Sequence, residues 1–283
     1  MIVVSYHMRI SGTTELIAHI GFPTDGFKSP LIYNPYFASA GIDAVVVPMG
    51  CRAEHFPAVL KTVFSLTNIR GALITMPHKQ TCAGLVDEVT TVAAIAGSCN
   101  AVRRLDDGRL HGDLLDGEGF VRALKRKGCV VNGARVFMTG AGGVGSAIAA
   151  ALAAAGAASI AVWDVAAERG ASLAARLTSH YPALVVTTTI SDPANHNIVV
   201  NATPAGMALD DPLPMDPQRI DPAAWVGDVV LFPEMTPLLL AAQRRGCRVQ
   251  VGSDMLYEQI PVYLEYFGLP TTTPERLREL TQK

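Results

Sequence analysis

The sequence is short of charge and shows no excess of either sign. Charged residues make up 17% of it, and 23 Lys and Arg side chains against 25 Asp and Glu leave a formal net charge of -2. Such a balance lacks the basic footprint by which a protein holds nucleic acid or an anionic membrane surface, so the expected partner is a small molecule. Cysteine is scarce as well. Cys51, Cys82, Cys99, Cys129 and Cys247 are scattered and odd in number, with no C-x-x-C and no Cys/His cluster of metal-ligand spacing. That argues against a disulfide framework and a zinc site, and leaves reduced, buried thiols as the expectation. The 7 histidines show no paired spacing either, so no metal is expected. The N-terminus has no basic region followed by an apolar stretch and a small-residue cleavage site, and a cytoplasmic protein is expected. The longest apolar run, SAIAAALAAAGAASIAV, is dominated by Ala and broken by Gly156. It suits a packed helix followed by a strand better than a membrane span.

What the chain does have is length and apolar residues. At 283 residues and 49% hydrophobic it can build a sizeable core, and it exceeds the usual single core, so two domains are expected. Short β-rich runs (ELIAHIGFP, DAVVVPMG, GALITMP, ARVFMTG, ASIAVWD, ALVVTTT, NIVVNATP, DVVLFPE, CRVQVGS) alternate with helical patterns such as HFPAVLKTVFSL, GFVRALKRKG, SAIAAALAAAG, ERGASLAARL and TPLLLAAQRRG. This order predicts an α/β fold with a parallel sheet, and nearly continuous apolar strands imply burial on both faces. A turn-rich segment from Gly112 to Phe120 is the expected hinge between domains. The segment DMLYEQIPVYLEYFGLP reads as helix, and its pattern leaves open which domain it joins.

Arg135 to Asp164 reads strand, glycine loop, helix, strand. Gly140, Gly142 and Gly145 spell G-x-G-x-x-G, which permits a tight turn, close approach to a pyrophosphate and close contact of helix and strand. The helix start then offers free N–H groups to phosphate. Asp164 follows Gly145 by 19 residues, near the expected distance for an acid that binds the adenosine ribose. A carboxylate there accepts from the 2'-hydroxyl and repels a 2'-phosphate, so NAD is expected in preference to NADP. Arg169, about one helical turn on, keeps NADP open.

Eight segments then accumulate in order: GFKSPLIYN, ITMPHK, GSCNAV, GDLLDG, GAGGVG, NATPAGM, DVVLFPEMTPLL and GSDMLYEQ. Together they resemble the shikimate/quinate dehydrogenase family over nearly the whole chain. The resemblance implies an N-terminal α/β substrate-binding catalytic domain (1–116, completed by C-terminal helices 253–283). It also implies a Rossmann-type parallel-sheet domain that binds the dinucleotide (117–252), with a cleft between the two. It implies Lys79 and Asp116 as catalytic pair, and Ser29, Thr75, Asn100 and Gln259 as substrate-binding residues. The cofactor would meet Gly140, Gly142, Gly143, Gly145, Asp164, Asn201, Thr203, Met207 and Gly252. The expected reaction is reversible hydride transfer between nicotinamide and a secondary alcohol of a shikimate- or quinate-like ring. A charged Lys79 would steady the alkoxide and donate a proton, and its neutral form would accept one. His78 beside it is expected to be structural. A homodimer is left open, since the sequence offers no interface.

The chain also departs from the family pattern. Phe27 stands where the first motif has a serine for the substrate carboxylate, and Leu73, Leu114, Leu115 and Leu231 replace residues expected to be Asn, Asn, Thr and Tyr. Each lost hydrogen bond is worth about 0.5–1.5 kcal/mol, so several losses should weaken shikimate binding by orders of magnitude. The expectation is a pocket turned more apolar and a cyclic alcohol less polar than shikimate, or one carrying its carboxylate elsewhere. Compensation by neighbours, or a non-catalytic NAD-binding sensor, are the alternatives; retention of Lys79, Asp116, Asn100 and Gln259 together speaks against the sensor.

Overall fold

The computed structural model describes residues 9–188, 190–208 and 210–281. The chain divides into two compact units, Met1–Leu115 with Ile260–Lys283, and Asp116–Gln259. The division at Leu115 and Asp116 lies inside the turn-rich hinge segment. It places Asp116 and residues 253–259 with the second unit, whereas the resemblance grouped them with the first.

In the first unit the strands are β1 (Glu15–Gly21), β2 (Ala44–Gly50), β3 (Ile69–Ile74), β4 (Glu88–Val89), β5 (Ala101–Arg104) and β6 (Leu110–Asp113). They form one sheet in the order β2-β1-β3-β5-β6-β4. The helices are α1 (Ser29–Ala40), α2 (Phe56–Val63), α3 (Lys79–Ala83) and α4 (Thr91–Ala96). Strand β1 pairs in parallel with both β2 and β3, and its residues Ile17 to Gly21 are all buried, as its apolar run requires. The sheet is mixed rather than parallel throughout, because β5 pairs antiparallel with both β3 and β6. The β5–β6 hairpin closes through the Leu105 N–H to Arg109 O bond at 2.8 Å, with Gly108 at φ 88° in its turn. Runs as short and charged as AVRR and LHGD carry no strand periodicity. Helix α1 also escapes the sequence reading, since Pro30 and Pro35 both fall within it. The first sits in the opening turn, where its missing N–H costs nothing, and the second is tolerated against the buried Tyr33, Tyr36 and Phe37.

The second unit holds α5 (Asp116–Arg126), β7 (Arg135–Thr139), α6 (Gly143–Ala154), β8 (Ser159–Trp163), α7 (Ala167–His180), β9 (Val185–Thr188), β10 (Ile198–Asn201), β11 (Trp225–Asp228), α8 (Pro237–Arg244) and β12 (Arg248–Gln250). Its strands run β12-β11-β10-β7-β8-β9, every pair parallel. Numbered within the unit this is the 3-2-1-4-5-6 order of the dinucleotide-binding fold, whose connections reverse between β7 and β10. Ala-rich α6 suits this layout, because nine of its residues are buried and small side chains permit close packing. The expected strand at DVVL lies three residues earlier: β11 ends at Asp228, whose Oδ1 accepts the Val230 N–H at 3.0 Å and turns the chain. The last two helices are α9 (Gly252–Tyr266) and α10 (Pro274–Thr281). Residues 252–259 of α9 belong to the second unit, and its remainder and α10 belong to the first. All five cysteines are free and buried. No helix among the described residues is long and apolar enough to cross a membrane.

Candidate active site

Parallel strands leave their binding crevice at the carboxyl ends, beside the point where strand order reverses. In the second unit a cleft of about 810 Å³ opens there, lined by Gly140, Gly142, Trp163, Asp164, Val165, Arg169, residues 202–205, Met207, Ala208 and residues 211–214. The glycine loop divides its labour. Gly140 takes φ 94°, a region that disfavours side chains, and a Cβ there would lie 2.7 Å from Ala202 O. A Cβ at Gly145 would sit 2.0 Å from Gly140 O, so helix and loop approach as closely as the motif predicts. Gly142, by contrast, has open space around its missing side chain and lines the cleft at the N-cap of α6. A bare backbone beside unpaired helix-opening N–H groups is what a pyrophosphate requires, and the residues fit a dinucleotide.

Asp164 closes this end of the cleft. Its Oδ2 accepts the Ala141 N–H at 2.7 Å and its Oδ1 the Ala166 N–H at 2.9 Å, so one carboxylate joins the glycine loop to the β8–α7 turn. Asp164 lines the cleft together with the exposed Arg169.

Of the other residues expected at the cofactor, Thr203 and Met207 line the cleft, while Gly143, Gly145, Asn201 and Gly252 do not. Asn201 is fully buried and its side chain is fully engaged. Its Oδ1 accepts from the Thr203 N–H at 3.1 Å and the Thr203 hydroxyl at 2.6 Å. Its Nδ2 donates to Ala205 O at 3.0 Å and to Asp228 at 3.1 Å. Asn201 therefore shapes the wall of the cleft from behind. Asp228, fully buried, also accepts from the Thr236 hydroxyl at 2.8 Å, and burial pushes its carboxyl above the usual range against the pull of these donors. Asp211, which sequence reasoning missed, braces the same wall by accepting the Ala208 and Gly206 N–H groups at 3.0 and 2.9 Å. These two backbone bonds hold its carboxyl below the usual range. The MALDDP turn offered a signal, an Asp placed to accept from backbone just before it. Gly252 opens α9, where a Cβ would meet Val230 O at 2.3 Å, which makes it a packing glycine.

In the first unit the site residues gather where β1 and β3 end. Thr75 follows β3, donating its N–H to Ile20 O at 3.0 Å and accepting from the His78 N–H at 2.9 Å. Lys79 opens α3, half-buried, and its carbonyl accepts the Cys99 N–H at 2.8 Å. His78 is buried, stacked on Phe56 with centroids 4.2 Å apart, and donates Nε2–H to Cys51 O at 2.8 Å. It anchors the Lys79 turn. Asn100 has its N–H on Asp113 O, its carbonyl on the Ile74 N–H, and its Oδ1 on the Leu115 N–H at 2.9 Å. Ser29 stands half-buried at the first position of α1. Phe27, just before it, stacks on His19 at 4.0 Å. Leu73, Leu114 and Leu115 are 4%, 1% and 5% exposed, so these three departures from the family pattern are buried. Phe27 and Leu231 remain more open.

Asp116, the first residue of α5, is buried, and its Oδ1 accepts from Gln259 Nε2 at 2.6 Å. Gly119 makes that contact possible: a Cβ there would meet Gln259 Cβ and Met255 O at 2.9 Å, so α9 lies directly on α5. The residue before Asp116 is Leu115, which Asn100 holds by its backbone. Lys79, Thr75, Asn100 and Ser29 thus belong to the first unit, Asp116 and Gln259 to the second.

Residues 20–102 match the family model of the shikimate dehydrogenase substrate binding domain. A shikimate dehydrogenase (NADP(+)) from Moorella thermoacetica is 35% identical over 259 residues, 89% of this chain and 87% of the relative. Among solved structures, the shikimate 5-dehydrogenase of Listeria monocytogenes in complex with shikimate and NAD superposes with a TM-score of 0.90 at 27% identity, over 96% of this chain and 98% of that one. The quinate dehydrogenase of Corynebacterium glutamicum in complex with NAD gives 0.83 at 30% identity, over 95% and 99%. With fold, motifs and relatives agreeing along nearly its whole length, the chain belongs to the shikimate/quinate dehydrogenase family of oxidoreductases.

Proposed function

We propose that this protein catalyses reversible hydride transfer between NAD and a secondary alcohol of a shikimate- or quinate-like ring, with Lys79 and Asp116 handling the proton. The bound dinucleotide supplies the hydride acceptor. Charged Lys79 steadies the developing oxyanion during ketone reduction and donates its proton, and neutral Lys79 accepts it during oxidation. Asn100, whose Oδ1 is taken by the Leu115 N–H, offers its Nδ2 as a donor for a ring hydroxyl, alongside Thr75 and Ser29. The observation that carries the reading is the hold on Asp116. Gln259 fixes its carboxylate, and Asn100 fixes the peptide N–H of the residue before it. An aspartate serving only as surface charge would need neither.

The preference for NAD rests on Asp164, whose carboxylate lines the cleft and would repel a 2'-phosphate. The Moorella relative is named for NADP(+), and both structures cited above hold NAD. Initial rates at 340 nm with NAD and NADP, against shikimate, quinate and a panel of cyclic alcohols, test the proposal. Lys79→Ala should lower kcat about a thousandfold while leaving the calorimetric affinity for NAD unchanged. Asp164→Asn should narrow the NAD over NADP preference about tenfold, since one charge–phosphate repulsion is removed. Turnover that survives in Lys79→Ala would refute the assignment.

A further inference from the structure

His19 stands near the end of β1, in register with Leu73 of β3, and is 7% exposed. Its Nδ1 is buried with no hydrogen-bond partner. Protein structures rarely leave a buried polar atom unpaired, because desolvation is then uncompensated. The ring lies under Phe27, with centroids 4.0 Å apart and planes 24° from parallel. Phe27 in turn shares one spot with Thr75: a Cβ built on Gly21 would lie 2.8 Å from Phe27 Cζ and 2.4 Å from Thr75 Cγ2. The aromatic pair therefore sits beside Thr75, one short turn before Lys79, at the carboxyl ends of two parallel strands.

We infer that Phe27 and His19 form the specificity wall of the substrate site, selecting a ring whose substituent at this wall is uncharged and hydrogen-bonding, a hydroxyl, ester or amide in place of a carboxylate. The inference rests on the reading of the protein as a dehydrogenase of a shikimate-like ring. Burial holds the imidazole down at about 4, so it is neutral and offers no charge to a carboxylate. A carboxylate set against two stacked, uncharged rings loses hydration that nothing there replaces. A hydroxyl or carbonyl needs a single partner, and Nδ1 is one that lacks its own. Phe27 is the more open ring of the stack.

Shikimate and its methyl ester differ only at this substituent, and their binding by calorimetry and their kcat and KM test the wall. The ester should bind the wild-type protein at least about tenfold more tightly than the acid. His19→Val should raise KM for the ester about tenfold with kcat little changed, and His19→Asn should restore part of the loss. Phe27→Ser should shift the preference toward the acid. Equal binding of the two, tighter binding of the acid, binding of neither, or an ester KM indifferent to His19→Val would each overturn the inference. Preferential ester binding with no turnover of either would support the wall and overturn the dehydrogenase reading instead.

Discussion

Both units carry a buried titratable side chain close to the carboxyl end of a parallel strand, and the two are treated in opposite ways. Asp228 of the second unit is surrounded by donors from Asn201, Val230 and Thr236, and through Asn201 the network reaches the loop that lines the dinucleotide cleft. His19 of the first unit keeps Nδ1 unpaired beneath Phe27. The dinucleotide wall is thus finished before any ligand arrives, each buried polar atom in it having its partner. The wall beside Thr75 is left incomplete. A satisfied network fixes shape, and an unsatisfied one leaves a preference to be met by something that binds.

The largest effect is expected from dismantling the finished side. Asp228→Ala strands the Asn201 amide, the Val230 N–H and the Thr236 hydroxyl, and should cost about 3 kcal/mol in urea unfolding while raising KM for NAD more than it lowers kcat. An unchanged KM would show that the loop holds its shape without the network.

The unfinished side should announce itself through pH. The folded-state pKa of His19 is lowered from 6.5 to about 4 by burial, so its contribution to stability is present above 6.5 and is lost as pH falls toward 4. Between pH 7 and pH 5 the protein should lose about 2 kcal/mol through this residue, and His19→Val should flatten that slope. An identical pH dependence in the variant would mean that the imidazole is protonated as readily in the folded chain as in the unfolded one.

The smallest effects separate shape from binding within the glycine loop. Gly145→Ala should cost about 1–3 kcal/mol of stability, because its Cβ has no room against Gly140 O. Gly142→Ala meets nothing within 4 Å and should leave the unfolding midpoint unchanged while weakening NAD binding. Equal stability losses in both would contradict the division of labour between the two glycines.

Much of this was legible in the sequence, and what was not has physical causes. The glycine loop and Asp164 announce themselves because backbone geometry demands particular residues at particular spacings. The strands of the second unit are equally plain, being apolar on both faces. Helix α1 was hidden by two prolines that its buried aromatic residues outweigh, and β5 and β6 by being too short for any period. Asn201 was assigned to the cofactor because a motif names a residue without saying which way its side chain turns; here it turns inward, onto Asp228 and Thr203. The leucines at 73, 114 and 115 read as a change in the pocket, yet each is buried, and only Phe27, with its partner on β1, and Leu231 remain as more open changes. That partner, His19, carried no signal at all, since a histidine in an apolar strand looks like any core residue until its neighbours are known.

The grip of Asn100 on residue 115 has an evolutionary side. It holds a peptide N–H, which every residue but proline possesses, so the side chain at that position can drift from polar to apolar without disturbing where Asp116 begins its helix. The address of Asp116 is thus written in the main chain, through a bond that does not read the side chain beside it.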